Sequence, residues 1–324
     1  MRFVLKSVLV LCAVFVLALA GGFLYLTLGF PRVEAAPDID IDSTERRIER
    51  GRYLANHVTV CIDCHSTRDW TYYSGPIEAG TEGKGGDRFD QSMGIPGTLH
   101  ASNITPAGIG DWTDGELVRL ITTGVNKDGK AIFPLMPYAS YRYLSREDAY
   151  SIVAYLRTFQ PIENEVPPST LDFPVNWIVR TIPQPVELGE HPDPSDTVAY
   201  GEYLTNIAGC VHCHTKIERG APVEEMELAG GFVFELPWGT VRSANITPDE
   251  GTGIGGWEKE YFIKLFKTWD VPEAGWTRVE PDEFNTIMPW IMYAKMTEED
   301  LGAIFDYLQT VGPIEHQVEI HTPK

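Results

Sequence analysis

Hydrophobicity along the chain begins with an uninterrupted apolar run from Ser7 to Phe30, with Arg2 and Lys6 before it and Arg32 after it. Its 24 residues exceed the usual core of a cleaved signal, and as a helix they can cross a hydrocarbon layer of about 30 Å. After this run the pattern changes. Amphipathic stretches alternate with polar loops rich in glycine and proline, such as residues 74–97. Asp42-Ser43-Thr44-Glu45 predicts a capping box ahead of one helix, and residues 197–208 predict a second helix of the same kind. Thr113-Asp114-Gly115-Glu116 caps a helix that Gly124 stops, and residues 257–269 form its counterpart. A third pair starts at Ser145-Arg146-Glu147-Asp148 and Thr297-Glu298-Glu299-Asp300, with Pro161 and Pro313 as its ends.

These paired elements belong to a tandem duplication. Asn103-Ile104-Thr105-Pro106 matches Asn245-Ile246-Thr247-Pro248, and Gly108-Ile109-Gly110-Asp111-Trp112 matches Gly253-Ile254-Gly255-Gly256-Trp257. Phe133-Pro134-Leu135-Met136-Pro137-Tyr138 matches Asn285-Thr286-Ile287-Met288-Pro289-Trp290, and Ala154-Tyr155-Leu156 matches Asp306-Tyr307-Leu308. The reading divides the chain into an anchor or signal at 1–36, a first unit at 37–160, a Pro-rich acidic linker at 161–197 and a second unit at 198–324. Each unit is mainly α-helical.

Cysteine supplies the chemistry. Apart from Cys12 in the apolar run, the cysteines form Cys61-Ile62-Asp63-Cys64-His65 and Cys210-Val211-His212-Cys213-His214, each a C-x-x-C-H site for covalent haem attachment. Two thiols three positions apart can add to both vinyl groups of one porphyrin, which leaves the following histidine under the iron. His65 and His214 are therefore expected as proximal ligands. A disulfide, a thioredoxin-like pair or half of a zinc site are the competing readings, and none explains a histidine after both pairs. His57 and His100 are read as ordinary polar positions, and His212 as a surface residue.

In small helical cytochromes a methionine from the loop before the last helix closes the other face of the iron. Met136 and Met288 hold that place in the two copies, each followed by a proline. Met292 and Met296 are rivals in the second copy and Met93 is a remote one in the first. Asn103, Asn245, Trp112 and Trp257 are divided evenly between haem-edge contacts and structural roles. Arg242 could pair with a propionate, although His100 stands in its place in the first copy.

Charge is uneven: 13 basic against 17 acidic side chains over 37–160, one against seven over 161–197, and 9 against 21 over 198–324, within a net −20. Such a field excludes nucleic acid as a partner, and it reads equally as a device for solubility or as a face of the second unit for a basic redox protein. The flanking Arg2 and Lys6 orient the apolar run with its start in the cytoplasm, so everything after Arg32 lies outside. Ala18-Leu19-Ala20 resembles a cleavage site and leaves a processed signal open, whereas a lipoprotein at Cys12 is disfavoured by Leu11.

The strings N-I-T-P, G-I-G-x-W and M-P-[YW], with the linker stretches Asn164-Glu165-Val166-Pro167-Pro168 and Leu171-Asp172-Phe173-Pro174-Val175-Asn176, resemble the di- and tri-haem cytochrome c subunits that accompany membrane-bound alcohol and gluconate dehydrogenases. The resemblance covers nearly everything after residue 45. It implies two class I cytochrome c domains after a transmembrane helix, two haem c groups with His/Met iron, and no catalysis by the chain itself. It also implies electron flow from a periplasmic dehydrogenase or a quinol-oxidising donor toward a small cytochrome or an oxidase. The third C-x-x-C-H site of tri-haem relatives is absent. A di-haem peroxidase and a thiosulfate-oxidising cytochrome are the alternatives: the paired methionine loops oppose the first, and the lack of a spare cysteine opposes the second.

Overall fold

The computed structural model describes residues 2–218 and 220–324, with the Arg2 side chain, half of the orientation argument, outside the described part. The apolar run forms a single helix, Arg2–Leu28, whose Phe3–Leu28 stretch is long and apolar enough to cross a membrane and is touched by the rest of the chain only near its C-terminal end.

Thirteen α-helices occur among the described residues, and ten of them fall into five pairs, one of each pair in each copy of the repeat. The lead helices are Glu45–Tyr53 and Thr197–Ile207, the attachment turns Cys61–His65 and Cys210–His214, and the middle helices Asp114–Thr123 and Lys259–Lys267. Short helices Tyr138–Tyr141 and Trp290–Tyr293 follow the two methionines, and Arg146–Leu156 and Glu298–Leu308 close the copies. Local chemistry accounts for most boundaries. Thr113 and Glu116 make a reciprocal capping box, Gly124 ends that helix in a left-handed turn, and the Ser145 and Thr297 side chains accept from the backbone of Asp148 and Asp300. Thr44 caps its helix by accepting from Arg47, and with arginine at that position the box expected over 42–45 cannot close. The helix expected over 257–269 is shorter, and the closing helices stop at Leu156 and Leu308, where the chain turns before the prolines are reached.

Each copy also holds a small antiparallel sheet that the sequence pattern did not suggest. Arg88–Asp90, Gly97–His100 and Thr170–Leu171 form one; Val233–Leu236, Gly239–Arg242 and His321–Pro323 form the other. Residues 162–171, read from sequence as linker, thus run back along the first copy as residues 314–323 do along the second. Lead and closing helices cross at glycine in both copies. A Cβ at Gly51 would overlap the Ser151 carbonyl oxygen, and one at Gly201 the Ala303 carbonyl oxygen.

The two copies do not keep separate cores: one continuous cluster of buried side chains includes Leu54, Val58, Ile152 and Leu156 from the first and Leu204, Ile207, Leu301 and Leu308 from the second. Two tyrosines stitch them together reciprocally. Tyr53 donates to Asp300 Oδ2 at 2.7 Å and accepts from the Thr297 amide at 3.1 Å. Tyr203 donates to Asp148 Oδ2 at 2.6 Å and accepts from the Ser145 amide at 3.1 Å. Each lead helix thereby caps the closing helix of the other copy.

Candidate functional site

The first attachment turn begins at Val60 in a left-handed conformation (φ 44°), which redirects the chain so that Cys61, Cys64 and His65 occupy one helical turn. Gly209 (φ 73°) does the same before Cys210, Cys213 and His214. The histidine rings are held alike: His65 Nδ1 lies 2.6 Å from the Ser102 carbonyl oxygen and His214 Nδ1 lies 2.7 Å from that of Ala244. A carbonyl can only accept, so each ring donates from Nδ1 and leaves the Nε2 lone pair free for a metal. Crowding by the surrounding chain lowers both histidine pKa values, with the carbonyls acting in the opposite sense, and this favours the neutral ligating form. Tyr141 donates to the Thr59 carbonyl at 2.6 Å, and Tyr293 to that of Ala208 at 2.6 Å, tying each short helix to the chain just ahead of its own copy's attachment turn.

Both methionines precede those short helices and are half-buried against the shared core. Tyr138 donates its amide to the Met136 carbonyl at 2.8 Å, and Trp290 to the Met288 carbonyl at 2.8 Å. Their sequence rivals are placed differently. Met292 and Met296 are fully enclosed core side chains, while Met93 packs near Trp238 of the second copy. Cys61, Cys64, His65 and Met136 line a single cavity of about 670 Å³, a size suited to a cofactor. His100 lies in the same wall, and its Nδ1 is buried with no partner.

The donor set fits a haem: two thiols, one oriented imidazole and one thioether around a cavity that also offers a vacant polar atom. The thiols oppose the thioredoxin-like reading. Crowding by the surrounding chain pushes Cys210 up to about 12 and Cys213 up to about 11, with the neighbouring thiol and Asp63 respectively adding to it, and raises Cys61 and Cys64 as well. Redox-active and metal-bound cysteines show the opposite shift. Among the described residues no three His, Cys, Asp or Glu side chains converge as a metal site of their own.

The asparagines are structural. Asn103 Oδ1 accepts from Thr105 N and Oγ1 at 2.9 and 2.7 Å while its amide donates to the Ile162 carbonyl at 2.8 Å; Asn245 makes the same set with Thr247 and Ile314. By fixing the residue after Ser102 or Ala244, each asparagine positions the carbonyl that holds the histidine. Trp112 and Trp257 pack against the shared core. Arg242 bonds the Glu319 carbonyl at 3.1 Å and Thr322 Oγ1 at 2.9 Å, so its guanidinium serves the C-terminal strand. His212 is half-buried where a surface position was expected.

Sequence reasoning missed a strap from the first copy across the methionine loop of the second. Ser74 Oγ donates to the Met288 carbonyl at 2.7 Å and accepts from the Trp290 amide at 2.9 Å, while its own amide donates to Asn285 Oδ1 at 2.9 Å. Buried Arg68 holds the strap from below, donating to the Ser74 and Gly75 carbonyls at 2.6 and 2.8 Å and pairing with Asp63 inside the first attachment turn. One signal was present: Asn285 stands where the first copy has Phe133, a polar departure beside an otherwise matched methionine.

The chain is similar to dehydrogenase cytochrome c subunits. It is 25% identical to the cytochrome c subunit of the quinone-dependent alcohol dehydrogenase of Gluconobacter oxydans over 84% of this chain and 56% of that one. To the fructose dehydrogenase cytochrome subunit of Gluconobacter japonicus it is 29% identical over 88% and 57%, and to the gluconate 2-dehydrogenase cytochrome c subunit of Pantoea cypripedii 26% identical over 84% and 61%. The chain thus spans little more than half the length of these curated relatives. No protein-family model matches it.

Proposed function

We propose that this chain is a membrane-anchored electron carrier with two covalently attached haem c groups and no catalytic chemistry of its own. Cys61 and Cys64 would attach the first, with His65 and Met136 to hold its iron; Cys210 and Cys213 would attach the second, with His214 and Met288 to hold its iron. A haem c supplies reversible one-electron storage at its iron. The protein's part is to keep each imidazole neutral and oriented through Ser102 or Ala244, to present a thioether from a loop braced by proline, and to restrict water around the cavity. A thioether favours the ferrous state more than a second imidazole does, so both sites serve at relatively high potential. The observation that carries the reading is the gathering of Cys61, Cys64, His65 and Met136 around one cavity, with the hydrogen bonds of that arrangement repeated in the second copy.

Residues 37–160 and 198–324 are two class I cytochrome c domains that share a core, and the segment 161–197 connects them. The span Phe3–Leu28 holds the protein in the inner membrane with Lys6 on the cytoplasmic side, which leaves the attachment turns in the periplasm, where c-type haem is attached. A membrane-bound dehydrogenase of the kind served by the relatives, or a quinol-oxidising complex, supplies electrons. A basic small cytochrome or an oxidase receives them, steered by the acidic second domain.

The test is stoichiometry. Intact mass and haem staining after denaturing electrophoresis should show two haems per chain, and the C61A/C64A variant should retain one. A wild-type mass with a single haem overturns the proposal.

A further inference from the structure

Outside the span, exposed large apolar side chains are mostly scattered, but three fall within ten residues of the connecting segment: Phe173 at 73% exposure, Ile178 at 52% and Ile182 at 37%. They precede, end and follow a short helix, Val175–Ile178. Burial in the shared core does not explain them, since only Val179 of this helix and its following turn is enclosed. What lies beside them is the outer end of the membrane span. The Trp177 ring sits 4.9 Å from Phe23 and 5.6 Å from Phe173, and Arg180 Nη1 donates to the Thr27 carbonyl at 3.3 Å.

Depth along the span follows from its length. A helix from Phe3 to Leu28 is about 39 Å long against a hydrocarbon core of about 30 Å, which puts roughly its last six residues in the headgroup layer if the other end sits at the inner boundary. Phe23 and Thr27, the residues that the connecting segment touches, belong to that layer. The composition agrees: Phe23, Tyr25, Phe30, Phe173 and Trp177 gather with Arg32, whose guanidinium lies 4.7 Å from the Phe30 ring, and Arg180. Aromatic rings and arginines are what a bilayer interface selects. Charge agrees too. The connecting segment 161–197 carries one basic and seven acidic residues, yet 173–186 carries Arg180 as its single charge. An acidic protein approaching an anionic membrane is repelled everywhere except through such a stretch.

We propose that Phe173, Trp177, Ile178 and Ile182 form a second membrane-docking surface that enters the headgroup layer of the outer leaflet beside the span. This rests on the reading of Phe3–Leu28 as a retained anchor. Asn176, Val179 and Arg180 from the same stretch, with Pro31 just past the span, line the cavity that holds Cys61, His65 and Met136. Docking therefore fixes the first site at a set height above the membrane, where a flexible tether would let the protein tumble.

The haem-loaded full-length protein is reconstituted in nanodiscs of phosphatidylethanolamine and phosphatidylglycerol containing a diazirine phospholipid, irradiated and mapped by peptide mass spectrometry. Lipid adducts are expected on residues 2–30 and on the peptide containing 173–182. In the F173E/I178E variant the second set is lost and the first retained. Adducts confined to 2–30 overturn the docking surface and leave the anchor intact; adducts on neither segment overturn the anchor reading itself. Equal labelling of the acidic stretch 224–235 marks non-specific capture and also overturns the docking surface.

Discussion

The two copies of the repeat agree in what surrounds the histidines and differ in what holds those surroundings in place. Both orient the imidazole on a backbone carbonyl, both brace that carbonyl with an asparagine, and both use a tyrosine to cap the other copy's closing helix. The supports diverge. The first copy places a buried ion pair, Arg50 with both oxygens of Asp148 at 2.8 Å, under the tyrosine clamp, where the second has Tyr200 and an Asp300 without an arginine of its own. The second copy's methionine loop is strapped by Ser74, whereas no residue of the second copy bonds the Met136 backbone among the described residues. The common parts are those that ligation requires, and the divergent parts are free to set stability and to couple the halves.

The largest expected effect comes from exchanging a ligand. Met288→His should lower one midpoint potential by a sizeable fraction of the roughly 0.8 V over which axial ligands set haem potentials, and leave the other almost fixed. Met136→His should do the converse. Potentiometric titration followed in the visible spectrum separates the two, and Met292→Ala, a core substitution, should leave both unmoved. Loss of one site's methionine-to-iron charge-transfer band in Met292→Ala alone would reverse the ligand assignment in the second copy.

Next in size is the buried pair. Removing the guanidinium with Arg50→Met strands Asp148, which is 2% exposed, and should cost about 3 kcal/mol in chemical denaturation. Tyr200→Phe, at the matching place, deletes a neutral hydroxyl beside Arg50 without stranding a charge and should cost about 1 kcal/mol or less. Equal costs would mean that the asymmetry between the copies carries no energetic weight.

The two matching carboxylates, Asp148 and Asp300, give opposite acid responses. Burial works to raise the Asp148 pKa, but the hydrogen bonds and charge of Arg50 outweigh it and the net shift is downward. A carboxylate lower in the folded than in the unfolded state contributes stability above the unfolded value of about 3.9, and loses it as pH falls through the folded value. Asp300 is shifted upward, chiefly by burial, with Tyr53 and Arg50 only partly compensating. Its ionised form therefore destabilises the fold near neutrality, and protonation removes that cost as pH falls from the raised value toward about 3.9. Asp148→Asn should lose stability at pH 7 and flatten the acid limb, while Asp300→Asn should be neutral or stabilising at pH 7. Denaturation midpoints from about pH 2 to pH 8 decide this, and a destabilised Asp300→Asn would contradict it.

How much of this was legible in the sequence depends on whether a feature repeats. Cys61 to His65, Met136 and their partners could be named because each recurs in register, and the caps at Thr113, Ser145 and Thr297 could be read from side chains that satisfy helix ends locally. The small sheets escaped because strands of two to four residues are too short for an alternating pattern to emerge. The tyrosine clamps were available as Gly51-Arg52-Tyr53 and Gly201-Glu202-Tyr203, but that they bond across copies is a property of docking, which no local pattern encodes. The Ser74 strap has no counterpart in the second copy, so the duplication that pointed to the candidate ligands concealed it.

The smallest effect isolates backbone strain. Val60 and Gly209 hold the same left-handed place ahead of the two attachment turns, and the region is unfavourable for a β-branched residue. A Cβ at Gly209 would meet nothing within 4 Å, so in Gly209→Val the added cost is conformational and not steric, about 1–2 kcal/mol. Val60→Gly relieves the same strain but gives up the packing of Val60 against the shared core and loosens the unfolded chain, so its net change should stay within about 1 kcal/mol. Thermal melts of the haem-loaded variants, with Gly209→Ala between the extremes, measure both. If Gly209→Val melts at or above the wild type, the turn tolerates side chains freely, and the valine in the first copy is then an ordinary substitution and not a strained residue held in place by its surroundings.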